Sequence, residues 1–301
     1  MKFMEAVKKF FFTPSTAFPL ACLRIGMTSL LILQSLSLSR QLLDFYGVKG
    51  FVQLELNEYL IDQTLPKISW LAAEMGKVGV AYDQTLLWAF LLYLASLVTL
   101  LLGWRTRISA IVAWFLHFMF MNSNGVSNYG VDQFYHIALF YFVWMPVGSA
   151  LSLDVAEGRT KSTPTSQTTI ALRVIQIHLC LVYFVAGWGK MQGHMWWTGE
   201  AIWRSLLLPE YQSFDFYWLA KVPFIATLAA WGTLILETLY PVFIWFRKTR
   251  LPWVVAVIGL HLGIAVFQGL ELFGATMIVF TTSMFGAQYL RSFFEANFAR
   301  P

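Results

Sequence analysis

Residues 182–199 read VYFVAGWGKMQGHMWWTG. An apolar run with Tyr183 and Phe184 closes in Ala186, Gly187 and Gly189, and a single lysine, Lys190, follows. Behind it come Met191, His194, Met195, Trp196 and Trp197. This is the pattern of a transmembrane helix leaving the hydrocarbon, with an amine at its mouth and tryptophans at headgroup depth. A lysine so placed commonly snorkels, its stem in the apolar layer and its ammonium in water.

The rest of the chain is of the same kind. Of 301 residues, 58% are hydrophobic and 17% aromatic, and the 12% that are charged amount to about half the share in soluble domains. Mean hydropathy is +0.61. The composition fits one membrane-embedded domain over residues 1–301, with no soluble domain. The net charge of +5 does not point to nucleic acid, because Lys and Arg sit in short clusters between apolar runs. Cys22 and Cys180 lie inside apolar stretches and form neither a disulfide framework nor a metal-ligand spacing. The first apolar run lacks an Ala-x-Ala-like end and continues past signal-peptide length.

Apolar runs of roughly 18 residues or more mark candidate spans. They fall near 17–38, 84–103, 107–122, 134–151, 170–188, 223–246, 252–268 and 271–288, the last two also readable as one hairpin broken around Gln268–Glu271. The expected fold is all-α, a polytopic membrane helix bundle of about eight transmembrane helices. Lys2, Lys8 and Lys9 precede the first run, and Arg105 and Arg107 separate the second from the third. Arg159 and Lys161 separate the fourth from the fifth, and Arg247, Lys248 and Arg250 the sixth from the seventh. Arg291 and Arg300 follow the last. Every second connection is basic, so the positive-inside rule places those connections and both termini in the cytoplasm. Lys190 then stands on the non-cytoplasmic side of a multi-pass protein of the cell (inner) membrane. Of the non-cytoplasmic segments, 40–83 carries Asp44, Glu55, Glu58, Asp62 and Glu74 among apolar pairs, a pattern of amphipathic helices lying on the membrane. Residues 195–221 carry Trp196, Trp197, Trp203, Tyr211, Phe214, Phe216, Tyr217 and Trp218, readable as an aromatic belt or as a lid over a lipophilic pocket.

An ionisable side chain at bilayer depth costs roughly 2.5–3.5 kcal/mol, so each asks for a reason. Gln176, Cys180, Tyr183, Gly187 and Lys190 share one helical face; so do Thr233, Glu237 and Pro241, and so do His261 and Gln268. Three polar stripes imply an interior cavity or a buried polar network. Plainer readings stand beside this one. Arg24 and Arg173 near a membrane boundary fit snorkelling or structural roles, Glu237 could pair with an arginine or His261, and His117 and His178 fit hydrogen-bonded core positions. The five histidines form no His-x-x-His or Glu-x-x-His pair, so no metal site is expected.

Four stretches, in order, carry a resemblance: FPLACLRIG (18–26) with Phe45–Tyr46 and Gly50; WRTR (104–107) with NSNGVSNYGVD (122–132) and PVGSALSLD (146–154); YFVAGWGKM (183–191) with WWTGEAI (196–202); and HLGIAVFQGLELFGATMI (261–278). Together the chain resembles the HTTM (horizontally transferred transmembrane) family, the bacterial relatives of the vitamin K-dependent gamma-glutamyl carboxylases. The resemblance implies that Lys190 occupies the slot of the carboxylase catalytic lysine, a neutral amine that deprotonates vitamin K hydroquinone. Oxygen then adds, and the strong base so formed takes a proton from a glutamate γ-carbon, which captures carbon dioxide. His261 matches a histidine before a similar Leu-Phe-rich helix, Glu237 an acidic position, and Asp132 lies near a carboxylase histidine.

The function this implies is oxygen-dependent epoxidation of a lipophilic quinol. Lys190, His261 and Glu237 would be catalytic, with Tyr183, Trp196, Trp197, Gln268 and Asp132 around the quinol. The implied co-reactants are a reduced quinone (menaquinol or a vitamin K hydroquinone-like molecule), O2 and, where carboxylation follows, CO2, with no metal. An amine acts as a base only while unprotonated, which desolvation at the rim of an apolar pocket favours and a touching carboxylate opposes. Glu237 is therefore expected not to pair directly with Lys190. The carboxylases also carry a large lumenal domain that holds a propeptide; nothing like it follows the last run here, so protein glutamate carboxylation is not expected. The alternative from a different class is a non-enzymatic membrane subunit, serving the maturation of a soluble or secreted partner on the non-cytoplasmic face. Membrane lipid is a partner in either case and nucleic acid in neither. A transporter lacks support, because no inverted repeat or pair of broken helices is visible.

Overall fold

The computed structural model describes residues 2–51, 53–54, 56, 59, 64–124, 128–209, 214–289 and 291. In chain order the helices are α1 (Lys2–Phe12), α2 (Phe18–Ser39), α3 (Leu42–Tyr46), α4 (Ile68–Gly76), α5 (Tyr82–Leu102), α6 (Thr106–Met121), α7 (Gly130–Trp144), α8 (Leu153–Ala156) and α9 (Ser166–Met191). They continue with α10 (His194–Thr198), α11 (Glu200–Leu207), a 3₁₀ turn (Tyr217–Lys221), α12 (Phe224–Thr238), α13 (Tyr240–Phe243), α14 (Arg247–Gln268), α15 (Glu271–Thr281) and a π-helical turn (Thr282–Gly286). Each of the expected apolar runs contains a helix, the fourth only as far as Trp144. By length and apolarity, four described helices suffice to cross a membrane, α2, α5, α9 and α14, while α6 and α12 are apolar but shorter. The shortfall has local causes. Pro241 lacks the N–H that would bond the Glu237 carbonyl, and the sixth run breaks there into α12 and α13. The eighth passes into the π turn. Of the amphipathic segment 40–83, Glu55, Glu58 and Asp62 lie outside the described residues, as does Tyr211 of the aromatic one.

The chain divides into two compact units, residues 16–164 and residues 1–15 with 165–301. In the first, Arg24 is wholly buried. Its Nη1 donates to the Leu100 and Leu101 carbonyls at 2.6 and 2.5 Å, its Nε to Val147 at 3.1 Å and its Nη2 to Leu151 at 2.6 Å. The last-turn carbonyls of α5 lack the donors of a further helical turn, with Gly103 N–H reaching Leu100 at 3.1 Å, and a cation at that negative end completes them. Arg24 is therefore structural and does not snorkel. Asp154 does the converse for α6, whose first N–H groups lack acceptors: it accepts from Arg105 N–H (2.8 Å), Thr106 N–H (2.8 Å) and Thr106 Oγ1 (2.6 Å). Arg159 Nε adds an ion pair at 3.5 Å. Burial pushes the Asp154 pKa up, but those three donors and the Arg159 charge outweigh it and hold the carboxyl below its ordinary value. Between α5 and α6 the chain turns through Gly103 at φ 67°, where a Cβ would lie 2.4 Å from that of Ser152. Segments 18–26, 104–107 and 146–154, from the first two stretches that carried the resemblance, thus meet in one knot.

Asp132, elsewhere in this unit, caps α7: its Oδ2 accepts Tyr129 N–H at 2.9 Å and its Oδ1 the Gln34 amide at 2.8 Å. His117 bridges Tyr93 OH (3.0 Å) and the Asp132 carbonyl (3.2 Å). These groups border a cavity of about 50 Å³, room for about one or two waters. His117 is a hydrogen-bonded core residue.

In the second unit α9 is the spine. Thr165 caps its start, the side chain accepting Thr168 N–H at 3.1 Å. Helices α1, α12 and α13 lie against α9, and α14 and α15 pack on each other as two helices turning at Gly269–Leu270.

Candidate functional site

The face of α9 foreseen from spacing is the buried one: Gln176, Cys180, Tyr183 and Gly187 are buried and Lys190 follows two turns beyond Tyr183. Helix α12 closes on it at Gly187. A Cβ there would lie 2.5 Å from Thr238 Oγ1 and 2.6 Å from the Thr238 nitrogen, so only glycine lets the two backbones come so near. That approach sets Glu237 against Lys190, Oε2 to Nζ 2.6 Å. The expectation that the two would not pair is overturned. The sequence argument judged which protonation state suited a base; it had no access to the α9–α12 distance, which Gly187 fixes. The Glu237 side chain is 8% exposed and that of Lys190 26%. Lys190 Nζ also lies 5.4 Å from the Trp196 ring centroid, a cation–π distance. The Trp197 indole N–H donates to the Met191 carbonyl at 2.7 Å.

Further along the same face, Tyr183 OH meets His261 Nε2 at 2.8 Å and Thr281 Oγ1 at 3.4 Å, and its ring stacks on Tyr240 at 4.1 Å. His261 is 2% exposed, and its Nδ1 has no partner among the described residues. At the end of the row the Gln176 amide donates to the Met284 carbonyl at 2.6 Å, in the π turn, where the helical ladder is disrupted. Tyr240 and Thr281 were not foreseen. Tyr240 stands one turn after Glu237 and was open to the same spacing argument; Thr281 lies in an apolar run that hides it.

Another face of α12 borders a cavity of about 500 Å³ between α12 and α14. Ile202, Leu206, Phe216, Trp218 and Leu219 wall one side of it, and Gly232, Gly259 and Gly263 leave it space. Its polar groups are Thr233 and Gln268, the latter donating to Ser205 Oγ at 3.0 Å. The segment read as belt or lid therefore contributes part of a wall. Among the residues named from the sequence, Gln268 lines this cavity, Lys190 joins Glu237, and Tyr183 joins His261. Trp196 and Trp197 stand by the Lys190 end, and Asp132 belongs to the other unit.

Residues 53–289 match the family model of the HTTM domain. The chain belongs to the HTTM family. It is thereby a membrane protein of the carboxylase-related family, and four of its described helices are long and apolar enough to cross a membrane. No curated protein and no solved structure matches this HTTM protein.

Proposed function

We propose that this HTTM protein, set in a bacterial inner membrane with both termini cytoplasmic, binds a lipophilic quinol of the menaquinol or vitamin K hydroquinone kind in its C-terminal unit. The observation that carries the reading is the Lys190–Glu237 contact of 2.6 Å, one turn of α12 from Thr233 in the wall of the apolar cavity. A volume near 500 Å³ lies within the range of small-molecule sites, about 300–1,000 Å³. Apolar walls with Thr233 and Gln268 suit a ring bearing a hydrocarbon chain, and the unpartnered His261 Nδ1 is a further polar group in the same unit. When bound, a quinol supplies reducing equivalents for reaction with O2, and CO2 would be consumed only with a carbon acid present.

The ion pair reassigns the roles. Lys190 Nζ is engaged as a donor to the Glu237 carboxylate at 2.6 Å and is not free to act as the base. Glu237 is the group able to take a proton, at Oε1, because Oε2 accepts from Lys190 Nζ, and that Nζ is a donor able to favour an oxyanion beside it. Tyr183 and His261 hold each other and position the interior of the row. The test is quinone epoxide formation by the protein in lipid nanodiscs with reduced menaquinone, O2 and bicarbonate. Proton transfer by a placed side chain contributes about 10²–10⁴-fold, so Glu237→Gln should lose at least about 100-fold while still binding the quinone. No epoxide from folded wild type would refute the reading.

The same contact favours a second reading. The two groups satisfy each other and do not line the cavity, as in a structural clasp. The protein would then be a non-enzymatic membrane subunit for a soluble or secreted partner. Full biological activity in a Lys190→Met/Glu237→Gln double variant would establish it.

A further inference from the structure

Away from Lys190, at the other end of α9, the C-terminal unit carries a surplus of cations. Segments 2–12, 166–176 and 245–250 hold Lys2, Lys8, Lys9, Arg173, Arg247, Lys248 and Arg250 against Glu5 alone. Arg173 Nε donates to the Phe10 carbonyl at 3.1 Å and ties α1 to α9. Its guanidinium lies 4.2 Å from the Phe10 ring centroid and 5.5 Å from that of Trp245. Arg250 reaches the same place from α14, donating to the Ile244 and Trp245 carbonyls at 3.1 and 2.9 Å. The charged neighbour that acts on Arg173 is Arg250, of the same sign. Neither makes an ion pair among the described residues, and Nη2 of Arg173 and Nη1 of Arg250 have no protein acceptor there. Arg173 Nη1 donates to Gln176 Oε1 at 2.7 Å, so each guanidinium keeps one terminal nitrogen for an outside acceptor. Two adjacent guanidiniums with no carboxylate are a place where an anion lowers the energy, and a phosphate can take a charge-assisted hydrogen bond from each.

Helix α1 adds an independent observation. Phe3, Met4, Val7, Phe10 and Phe11 share one side of the helix and Lys2, Glu5, Lys8 and Lys9 the other, yet no residue of α1 is buried. Phe3 is 79% exposed. Phe10 packs on Arg173 and Trp245 and Val7 and Phe11 are half-buried, while Phe3 and Met4 stay exposed. An amphipathic helix whose apolar side is only partly covered, with lysines opposite, is the form that lies in a membrane interface.

We propose that this end of the C-terminal unit binds the phosphodiester headgroup of an anionic phospholipid, Arg173 and Arg250 facing the phosphate and α1 lying in the same leaflet. A lipid fits better than a free phosphate, because the cations are set among Phe10, Trp245 and the apolar side of α1, which acyl chains cover and a soluble ion leaves in water.

The test uses the full chain in detergent, titrated with dioleoylphosphatidylglycerol, with dioleoylphosphatidylcholine and, in a third arm, with inorganic phosphate. Binding is read by native mass spectrometry and by the midpoint of thermal unfolding. The phosphatidylglycerol lipid should be retained over phosphatidylcholine, and the preference should fall roughly five-fold for each basic residue neutralised, in Arg250→Gln and further in Lys8→Gln/Lys9→Gln. The Lys8/Lys9 variant leaves every Arg173 and Arg250 contact in place, so its loss is not a folding defect. Lys77→Gln, on an exposed lysine of the other unit, should keep the full preference. Equal retention of the two lipids, or an undiminished preference in the variants, overturns the proposal. Stabilisation by inorganic phosphate equal to that by phosphatidylglycerol would assign the site to a soluble anion and also overturn it.

Discussion

The Lys190–Glu237 contact makes an asymmetric prediction about stability. Lys190→Met strands a carboxylate whose side chain is 8% exposed, and breaking a buried pair by removing one partner costs about 3–5 kcal/mol. Glu237→Gln strands an ammonium whose side chain is already 26% exposed and lies 5.4 Å from the Trp196 ring. That ammonium can swing toward headgroup depth and keep a cation–π contact of about 0.5–1 kcal/mol, so the loss should be only about 1–2 kcal/mol. In the double variant neither charge remains, and its loss should sit near that of Glu237→Gln alone, a coupling equal to the Lys190→Met loss of about 3–5 kcal/mol. The assay is unfolding in bicelles across an SDS titration, followed by tryptophan emission. Additive losses, or Glu237→Gln costing as much as Lys190→Met, would refute the claim that this is a tight pair with one buried and one accessible partner.

Other positions follow from similar physics. Gly187→Ala places a methyl within 2.6 Å of Thr238 and should cost about 1–3 kcal/mol in the same titration, whereas Gly189→Ala, with nothing within 4 Å, should be neutral or stabilising. Arg24→Met leaves the carbonyls of Leu101, Val147 and Leu151 without the Arg24 donor, and that of Leu100 with Gly103 N–H alone, and should cost several kcal/mol, about 3–5; Arg24→Lys should not restore it, because a point ammonium cannot span what the guanidinium fork spans. The Asp154 pKa is depressed on folding, so its contribution is present above the unfolded carboxylate pKa, about 3.9, and is lost as pH falls through the folded value. Melting temperature against pH should therefore show an acid loss in wild type that Asp154→Asn lacks, with the two curves converging at low pH.

The helices were legible because bilayer burial demands long apolar runs, and every expected run contains a helix, though the fourth stops at Trp144 and the sixth breaks at Pro241. The polar faces of α9 and α14 were legible for a related reason: helical periodicity fixes which residues of one helix share a side, as it does for Gln176, Tyr183 and Lys190. Periodicity says nothing about which stripe meets which. Glu237 was open to an arginine, to His261 or to none, and the choice of Lys190 came from a close approach at a glycine. Position alone left Arg24 between a snorkelling and a structural role, since the carbonyls that hold it come from residues 100–101 and 147–151. The cavity was equally hidden, because empty space between α12 and α14 has no sequence signal beyond a few small residues.

The sequence by itself determined that this is an all-helical membrane protein of the HTTM family, because apolar run length and ordered motifs are local properties. Tertiary structure alone decided that α9 and α12 touch at Gly187 and that Lys190 therefore carries a carboxylate partner. A contact between residues 190 and 237 depends on how two helices approach each other, and side-chain spacing within either one leaves that distance free.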